Sequence, residues 1–418
     1  MATAAFAAAR TGRRAMTEVK TFDAARVGLL DGVRVIDLSR LVAGNMATHV
    51  LADYGADVIK IERPGKGDDL RSWRVKGIEV FWKVYSRNKR SVALDLQSGD
   101  GREFLWRLID TAQILVENFV PGTLERWGMG PDDLLRRNRK LIILRVSGWG
   151  QTGPWRTKPG FGTLVEAMSG WAFMNGHADK PPTLPPLALA DMISGLYGAA
   201  AVLAALRAVE HGGAGGQITG QVIDLSLFEP IHAMVGAEAA HIRLGQPTMR
   251  SGNQSSHTAP RNVFRCKDER YVAMSGSMQS MAEKIMETIG RPELKADPRF
   301  IDNTARVAHR NELDEIIGAF IAQRSQAENL ALFEAAGVTV GPVCSVADLI
   351  NDPYVAGREA IVEVEDRDLG SIPMHNVIPR FSAMPEPFRR PAPQLGEHTE
   401  DIRRELGLPA AKPAKATS

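Results

Sequence analysis

Between Gly32 and Gly148 short apolar, β-rich runs alternate with stretches of helical spacing. GVRVIDLS (Gly32 to Ser39) reads as a strand, NMATHVLADYG (Asn45 to Gly55) as a helix ended by a glycine, and ADVIKIE (Ala56 to Glu62) as a second strand. A strand, a helix and a strand in so short a span form a βαβ unit, which predicts a parallel sheet. The pattern recurs in Ser91 to Leu96, a helix through Gly101 to Thr111, Ile114 to Asn118, a helix near Pro131 to Asn138, and Leu141 to Gly148. The fold class is therefore α/β, an open and mostly parallel sheet, with ligand expected at the carboxyl ends of the strands.

Beyond this region Asp191 to Glu210 reads as one long helix rich in Ala, Leu and Gly, followed by a glycine-rich turn (Gly212 to Gly216) and a strand at Gln221 to Leu227. From Pro230 to Val338 the pattern becomes helical with one strand-like segment, Tyr271 to Gly276, which predicts a smaller α+β domain. Gly341 to Ile350 and the strand Glu359 to Asp366 read as a return to the larger domain. The expected organisation is a leader over 1–27, a large α/β domain over 28–229 and 339–408, a small domain over 230–338, and a Pro/Ala/Lys-rich disordered tail over 409–418.

Composition narrows the function classes. A chain of 418 residues can bury a large core and suggests two domains. Lys plus Arg total 51 against 49 Asp plus Glu, so no overall charge invites nucleic acid, and any anion site must be local. The apolar stretch Leu187 to Leu206 is interrupted by Asp191, so no transmembrane segment is expected. Cys266 and Cys344 form no C-x-x-C pair, which speaks for neither zinc nor a disulfide framework and suits a reducing, cytoplasmic setting. The opening is Ala/Arg-rich and loosely like a transit peptide; the plainer reading is a disordered leader, with Met16 as a possible start.

The first strand is followed by Leu41-Val-Ala-Gly-Asn and not by G-x-G-x-x-G, so there is no dinucleotide fingerprint. G-x-x-x-x-G-K-[ST], H-E-x-x-H, G-x-S-x-G and EF-hand loops are also absent. What the chain has instead is a set of longer segments: Leu30 to Trp73, NKRSVALDL (Asn88 to Leu96) and LVENFVPGTLERWG (Leu115 to Gly128). To these add ALADMISGLYG (Ala188 to Gly198), GQVIDLSLFEP (Gly220 to Pro230), GPVCSVADLINDP (Gly341 to Pro353) and LGEHTEDI (Leu395 to Ile402). In order and spacing they resemble the family III CoA-transferases, the group of formyl-CoA transferase and carnitine CoA-transferase, over residues 28–408.

Chemistry and resemblance can be set side by side. Coenzyme A needs cations for its phosphates and apolar walls for its adenine and pantetheine; Arg40, Arg63, Arg71 and Arg126 stand at or just past predicted strand ends. Singly, each is more often a solvated charge. The resemblance implies CoA contacts at Arg40, Leu41, Val42, Ala43, Arg63, Leu94, Asn118, Phe119, Thr123 and Arg126. Val42 and Gln97 depart from the formyl-CoA transferase pattern, which has glutamine and lysine there. An acid in LPPLALADMISGLYG is costly to bury unless it caps a helix or does chemistry. The resemblance makes Asp191 the nucleophile, and a helix N-terminus is expected to keep it ionised.

The implied reaction moves CoA from an acyl-CoA to a carboxylic acid through aspartyl anhydride and aspartyl-CoA thioester intermediates. Backbone N–H groups near Gly148 or Gly252 are candidate oxyanion donors. Glu166 either orients the site or packs a helix. Gly252, Asn253, Gln254 and Arg261 resemble the branch acting on C4 and C5 dicarboxylates, with Arg261 or Arg250 able to fork a second carboxylate. Succinyl-CoA is then the expected donor, and the CoA thioester is a substrate with no prosthetic group or metal expected. The resemblance also implies an interlocked homodimer. The nearest alternative is an α-methylacyl-CoA racemase, but Phe161 stands where that branch has its histidine base. A non-catalytic CoA-binding protein is a further alternative, against which Asp191 argues.

Overall fold

The computed structural model describes residues 18–212 and 219–410. They divide into two units. The first comprises the chain up to Ser169, Pro185–Gly236 and the part from Pro353 onward; the second comprises Gly170–Leu184 and Ala237–Asp352.

The first unit is built on six parallel strands: β1 (Arg34–Asp37), β2 (Asp57–Glu62), β3 (Lys89–Ala93), β4 (Ile114–Glu117), β5 (Ile142–Ser147) and β6 (Gln221–Ser226), in the order β3-β2-β1-β4-β5-β6. Strands with both faces covered read as near-continuous apolar runs, and the buried Val35, Ile36, Val58, Ile59, Leu115, Ile143 and Leu144 supply them. One face packs under helix α2 (Gly99–Thr111) through Phe104, Leu105 and Leu108. The other carries α1 (Ala43–Asp53) and, after the short α3 (Gly162–Met168), the long α4 (Leu189–His211). Gly195 of α4 lies so close to α1 that a Cβ there would fall 2.5 Å from the Met46 Cβ and 2.9 Å from the Ala43 carbonyl oxygen. Helix α4 has the length and hydropathy of a membrane span; here its small residues let it seat against α1. The sheet order reverses between β1 and β4, so their carboxyl ends part and leave a crevice at this switch point.

Several expected boundaries differ. The leader was drawn over 1–27, yet Lys20 N–H donates to the Glu363 carbonyl (2.8 Å), Phe22 meets Phe388 edge-on (6.0 Å between centroids) and Arg26 donates to the Phe388 carbonyl (2.8 Å). This segment belongs to the fold because its aromatic ring adds to the cluster of Val362, Val364 and Phe388. Residues 1–17 and 411–418 of the expected leader and tail, and most of the turn from Gly212 to Gly216, lie outside the described residues. Strand Glu359–Asp366 appears as β10 (Ile361–Asp366), but it pairs antiparallel with β11 (Gly370–His375) and does not join the parallel sheet.

The second unit holds a three-stranded antiparallel sheet, β7 (Arg261–Arg265), β8 (Tyr271–Ser275) and β9 (Val340–Pro342), where the pattern suggested one strand. Helices Gln279–Thr288, Arg310–Ile321 and Gln326–Ala335 pack on it around Phe264, Val272, Ile285, Phe300, Ile317 and Phe333. Because β9 pairs with β8, the unit runs to Asp352 and not to 338. Residues 170–184, assigned above to the large domain, group here. The Gly252 N–H donates to the Gly176 carbonyl (2.9 Å) and the Arg250 guanidinium to the Phe173 carbonyl (2.9 Å), contacts that no local pattern announces.

Candidate active site

The crevice between β1 and β4 is held by a reciprocal clamp. The Arg40 N–H donates to Asn118 Oδ1 and the Asn118 Nδ2 donates to the Arg40 carbonyl, both at 2.8 Å. The loops after the two strands are thereby locked together, and two cavities open on either side with Arg40 and Phe119 in the walls of both.

The first cavity, about 490 Å³, runs past the ends of β1, β2 and β3. Arg40 and Arg63 supply cations, Leu94 and the Phe119 and Trp127 rings supply apolar surface, and Gln97 stands at its edge. The two rings meet edge-on with centroids 5.3 Å apart. Cations beside flat apolar walls suit a phosphorylated, adenine-bearing ligand. Trp127 was not singled out in the sequence; it follows directly on the short helix Thr123–Arg126, which the pattern did not announce.

The second cavity, about 310 Å³, is lined by Leu41, Ala43, Asn118, Gly148, Phe161 and Asp191 among others. Here Asp191 sits as the third residue of α4, whose cap is Ala188, so Asp191 is not itself the cap. Buried Glu166 on α3 accepts the Ala190 N–H at 3.0 Å, which ties α3 to the start of α4 and brings a second carboxylate beside Asp191. Burial, and then the Glu166 charge, push the Asp191 carboxyl up to about 6, with the Ala43 N–H and its own N–H acting in the opposite sense. The helix N-terminus, expected to keep the group ionised, is outweighed by desolvation and a like charge. At neutral pH the group is still mostly ionised, and as a more basic carboxylate it is a better nucleophile.

Gly162, at the first turn of α3, is what lets Asp191 lie where it does. A Cβ on Gly162 would fall 2.3 Å from Asp191 Oδ2, so any side chain there would displace the carboxylate. Gly148 lines the same cavity, packed so tightly on Gly160 that a Cβ would lie 2.8 Å from its Cα. Phe161 is 66% exposed at the cavity wall, and no histidine lines it among the described residues. Arg156 and Lys158 also reach it, with the Lys158 ammonium 3.6 Å from the Trp155 ring centroid.

Not all the predicted contacts converge. The Val42 side chain turns into a core cluster with Leu70 and Trp82 and lines neither cavity, because the left-handed turn at Leu41 (φ 60°) points it inward. Thr123 and exposed Arg126 pair with each other, Arg126 Nη2 to Thr123 Oγ1 at 2.8 Å, and also line neither cavity. Arg71 is buried in a fork on Glu62 (2.7 and 2.8 Å) and stacked 3.7 Å from the Trp82 ring, a structural ion pair and not a free phosphate ligand. Gly252, Asn253, Gln254 and Arg261 lie in the second unit. Gly252 takes φ 64° against His177, Asn253 is exposed, and Gln254 donates to Asn311 Oδ1 (2.9 Å) and Asp314 Oδ2 (2.7 Å). Exposed Arg261 reaches the Gln254 carbonyl at 3.4 Å. Arg250 borders a separate cavity of that unit with His241, His257 and Arg310.

Comparison with known proteins agrees with the fold and with the family resemblance. The profile of CoA-transferase family III matches residues 30–399. A succinyl-CoA:D-citramalate CoA-transferase of Chloroflexus aurantiacus is 37% identical over 377 residues, 89% of this chain and 92% of its own. The mouse succinyl-CoA:glutarate CoA-transferase is 33% identical over 381 residues, 90% of this chain and 86% of its own. Among solved structures, a CAIB/BAIF family protein from Brucella suis superposes with a TM-score of 0.79 at 31% identity, covering 91% of this chain and all of that one. With the family profile matched over residues 30–399 and relatives matched along nearly the whole chain, the protein belongs to CoA-transferase family III and is an enzyme of that family.

Proposed function

We propose that the protein transfers CoA from succinyl-CoA to a C4 or C5 dicarboxylic acid, with Asp191 as the nucleophile. The observation that carries this reading is a carboxylate, raised to about 6, lining a cavity that shares Arg40 and Phe119 with a cationic and aromatic cleft. The names of relatives at 33–37% identity, which act on succinyl-CoA and dicarboxylates, support the substrate classes.

With CoA anchored by Arg40 and Arg63, the thioester carbonyl would lie against Asp191. The carboxylate oxygen attacks that carbonyl, the C–S bond breaks, and the products are an aspartyl-acyl anhydride and CoA thiolate. The thiolate then attacks the aspartyl carbonyl, expelling the donor acid as its carboxylate and leaving an aspartyl-CoA thioester. The acceptor carboxylate attacks this thioester, thiolate leaves again, and its return to the acceptor half of the second anhydride yields the new acyl-CoA and free Asp191. No proton is consumed, so no general base is required, and the absence of histidine from the cavity wall is compatible with transfer. Each attack develops an oxyanion for which the Gly148 N–H is a candidate donor. No prosthetic group enters the scheme; CoA is carried as substrate. The reading extends to a homodimer in the cytoplasm, and two unpaired cysteines suit that compartment.

Incubation with succinyl-CoA followed by proteolysis and mass spectrometry should find CoA joined to the peptide bearing Asp191. Solvent deuterium entering the α-position of an acyl-CoA, with no adduct and no transfer, would instead favour the racemase class.

Protonation of Asp191 quenches attack, so kcat/KM should fall below about pH 6. Glu166→Gln keeps the oxygen that accepts the Ala190 N–H but removes the like charge. The acid limb should then move to lower pH, by on the order of half a unit. A limb that stays in place would show that Glu166 does not act on the nucleophile.

A further inference from the structure

The loop Ser39–Val42 carries the clamp on Asn118 and leads directly to Ala43, which lines the same cavity as Asp191 and whose N–H favours the Asp191 carboxylate. It is not relaxed: Leu41 lies at φ 60°, where a leucine rarely sits unless its surroundings hold it. Those surroundings are ionic. Asp68 Oδ1 accepts the Leu41 N–H (3.0 Å) and the Leu70 N–H (2.8 Å), and Asp68 Oδ2 accepts Asn45 Nδ2 (3.0 Å). The same Asn45 Nδ2 donates to the Leu41 carbonyl at 2.6 Å, so both backbone polar groups of Leu41 are tied to the Asp68 and Asn45 pair.

Behind them lies a set of fully buried charges. Lys60 Nζ stands 2.9 Å from Asp68 Oδ2 and 3.3 Å from Asp37 Oδ1, and donates to the Ser39 carbonyl. Lys89 Nζ donates to Thr48 Oγ1 (2.8 Å) and to the Asn45 carbonyl (3.1 Å), and reaches Asp37 Oδ2 at 3.3 Å. Lys60, Lys89 and Asn45 line neither cavity. Burying two lysines with two aspartates seldom stabilises a fold more than well-packed apolar residues of like volume. A geometric task accounts for the cluster better than stability does.

We propose that Asp68, held by Lys60, is a positioning residue for the nucleophile: it fixes Leu41 in the left-handed turn that aims the Ala43 N–H at the Asp191 carboxylate. The inference rests on Asp191 being the nucleophile. The charged group that acts on Asp191 is Glu166 from α3, and Arg40 from the clamped loop and Arg156 and Lys158 from the segment after β5 line the same cavity. Only the Ala43 N–H among the groups that lower its pKa depends on the turn at Leu41.

The test uses Asp68→Asn, whose amide would face the donors Lys60 and Asn45, and Asn45→Ala, which cuts the link without removing a charge. In variants that melt cooperatively, amide hydrogen exchange over residues 39–45 should quicken. The kcat should fall by about tenfold or more, with KM for the acyl-CoA changing by less than about threefold. The acid limb of kcat/KM should move to higher pH, because an N–H that favoured the carboxylate is lost. Unchanged exchange in either folded variant, or a rise in KM alone with kcat and the acid limb unmoved, would overturn the proposal. Failure of the wild-type protein to form a CoA adduct at Asp191 would instead strike the parent reading, and the exchange measurement would still decide whether Asp68 holds the loop.

Discussion

Asp191→Asn should abolish transfer, lowering kcat by at least about 10³-fold, because an amide cannot form the anhydride and the remaining groups only bind substrate. The same variant should be more stable than the wild type at pH 8. The folded protein holds the Asp191 proton to about 6, above the ordinary carboxylate value of 3.8, so the folded state binds it more tightly than the unfolded chain. Ionisation of this group therefore opposes folding as pH rises from about 4 to 6 and does so fully above that range. Removing the charge should return on the order of 1–3 kcal/mol at pH 8 and close to nothing at pH 3.5. Thermal melts at the two pH values, beside the rate assay, separate a chemical role from a structural one. A variant that keeps wild-type turnover would end the case for Asp191 as nucleophile.

Gly162→Ala should be nearly as damaging to rate, by about 10²-fold, although it adds one methyl group. That carbon would stand 2.3 Å from Asp191 Oδ2, and the carboxylate must move to admit it. Displacement of a reacting group by about 1 Å commonly costs about this much. Alanine favours a helix over glycine, so local propensity alone would predict a gain in stability at the start of α3. A melting temperature that is held or raised, together with collapsed turnover and intact CoA binding, is the expected pattern. Wild-type kcat in this variant would mean that α3 can retreat without cost, and that the close approach has no catalytic consequence.

The two variants touch one arrangement from opposite sides. Gly162 gives Asp191 room, Glu166 one turn later supplies the neighbouring charge, and the Ala190 N–H bonded to Glu166 binds the two helices together. On the proposed route a carboxylate this basic is a stronger nucleophile and a poorer leaving group, which favours opening of the donor anhydride at the aspartyl carbonyl and slows the closing step in which Asp191 itself leaves. The adjoining cleft with Arg40 and Arg63 can hold the rest of the CoA molecule while this happens.

Much of this was legible from one dimension. The apolar runs at Val35, Val58, Leu115 and Ile143 announced parallel strands, since a strand covered on both faces must be apolar throughout. Asp191 stood out as an acid in an apolar stretch and Arg40 and Arg63 stood at strand ends, whereas Leu94 and Phe119 were marked by the family resemblance. By contrast, Arg71 looked like a free cation because its partner Glu62 is on the preceding strand and no spacing rule pairs them. Val42 and the Thr123 and Arg126 pair, marked by the family resemblance, line neither cavity, because the direction of a side chain at a turn depends on backbone angles that sequence spacing does not contain. The three-stranded sheet of the second unit was read as one strand because β9 is only three residues long and acquires its identity by pairing with β8.

By itself, then, the chain's pattern of residues indicated the α/β class and the strand succession of the first unit, and marked Asp191 as an acid with either a capping or a chemical role. These depend on local periodicity and on the cost of burying polar groups, and both are present before any folding. Tertiary structure alone decided how basic Asp191 is, that a glycine makes its place, and that buried lysines hold the loop beside it. Those properties come from desolvation and from charges brought together across separate elements, and neither exists until the helices have docked on the sheet.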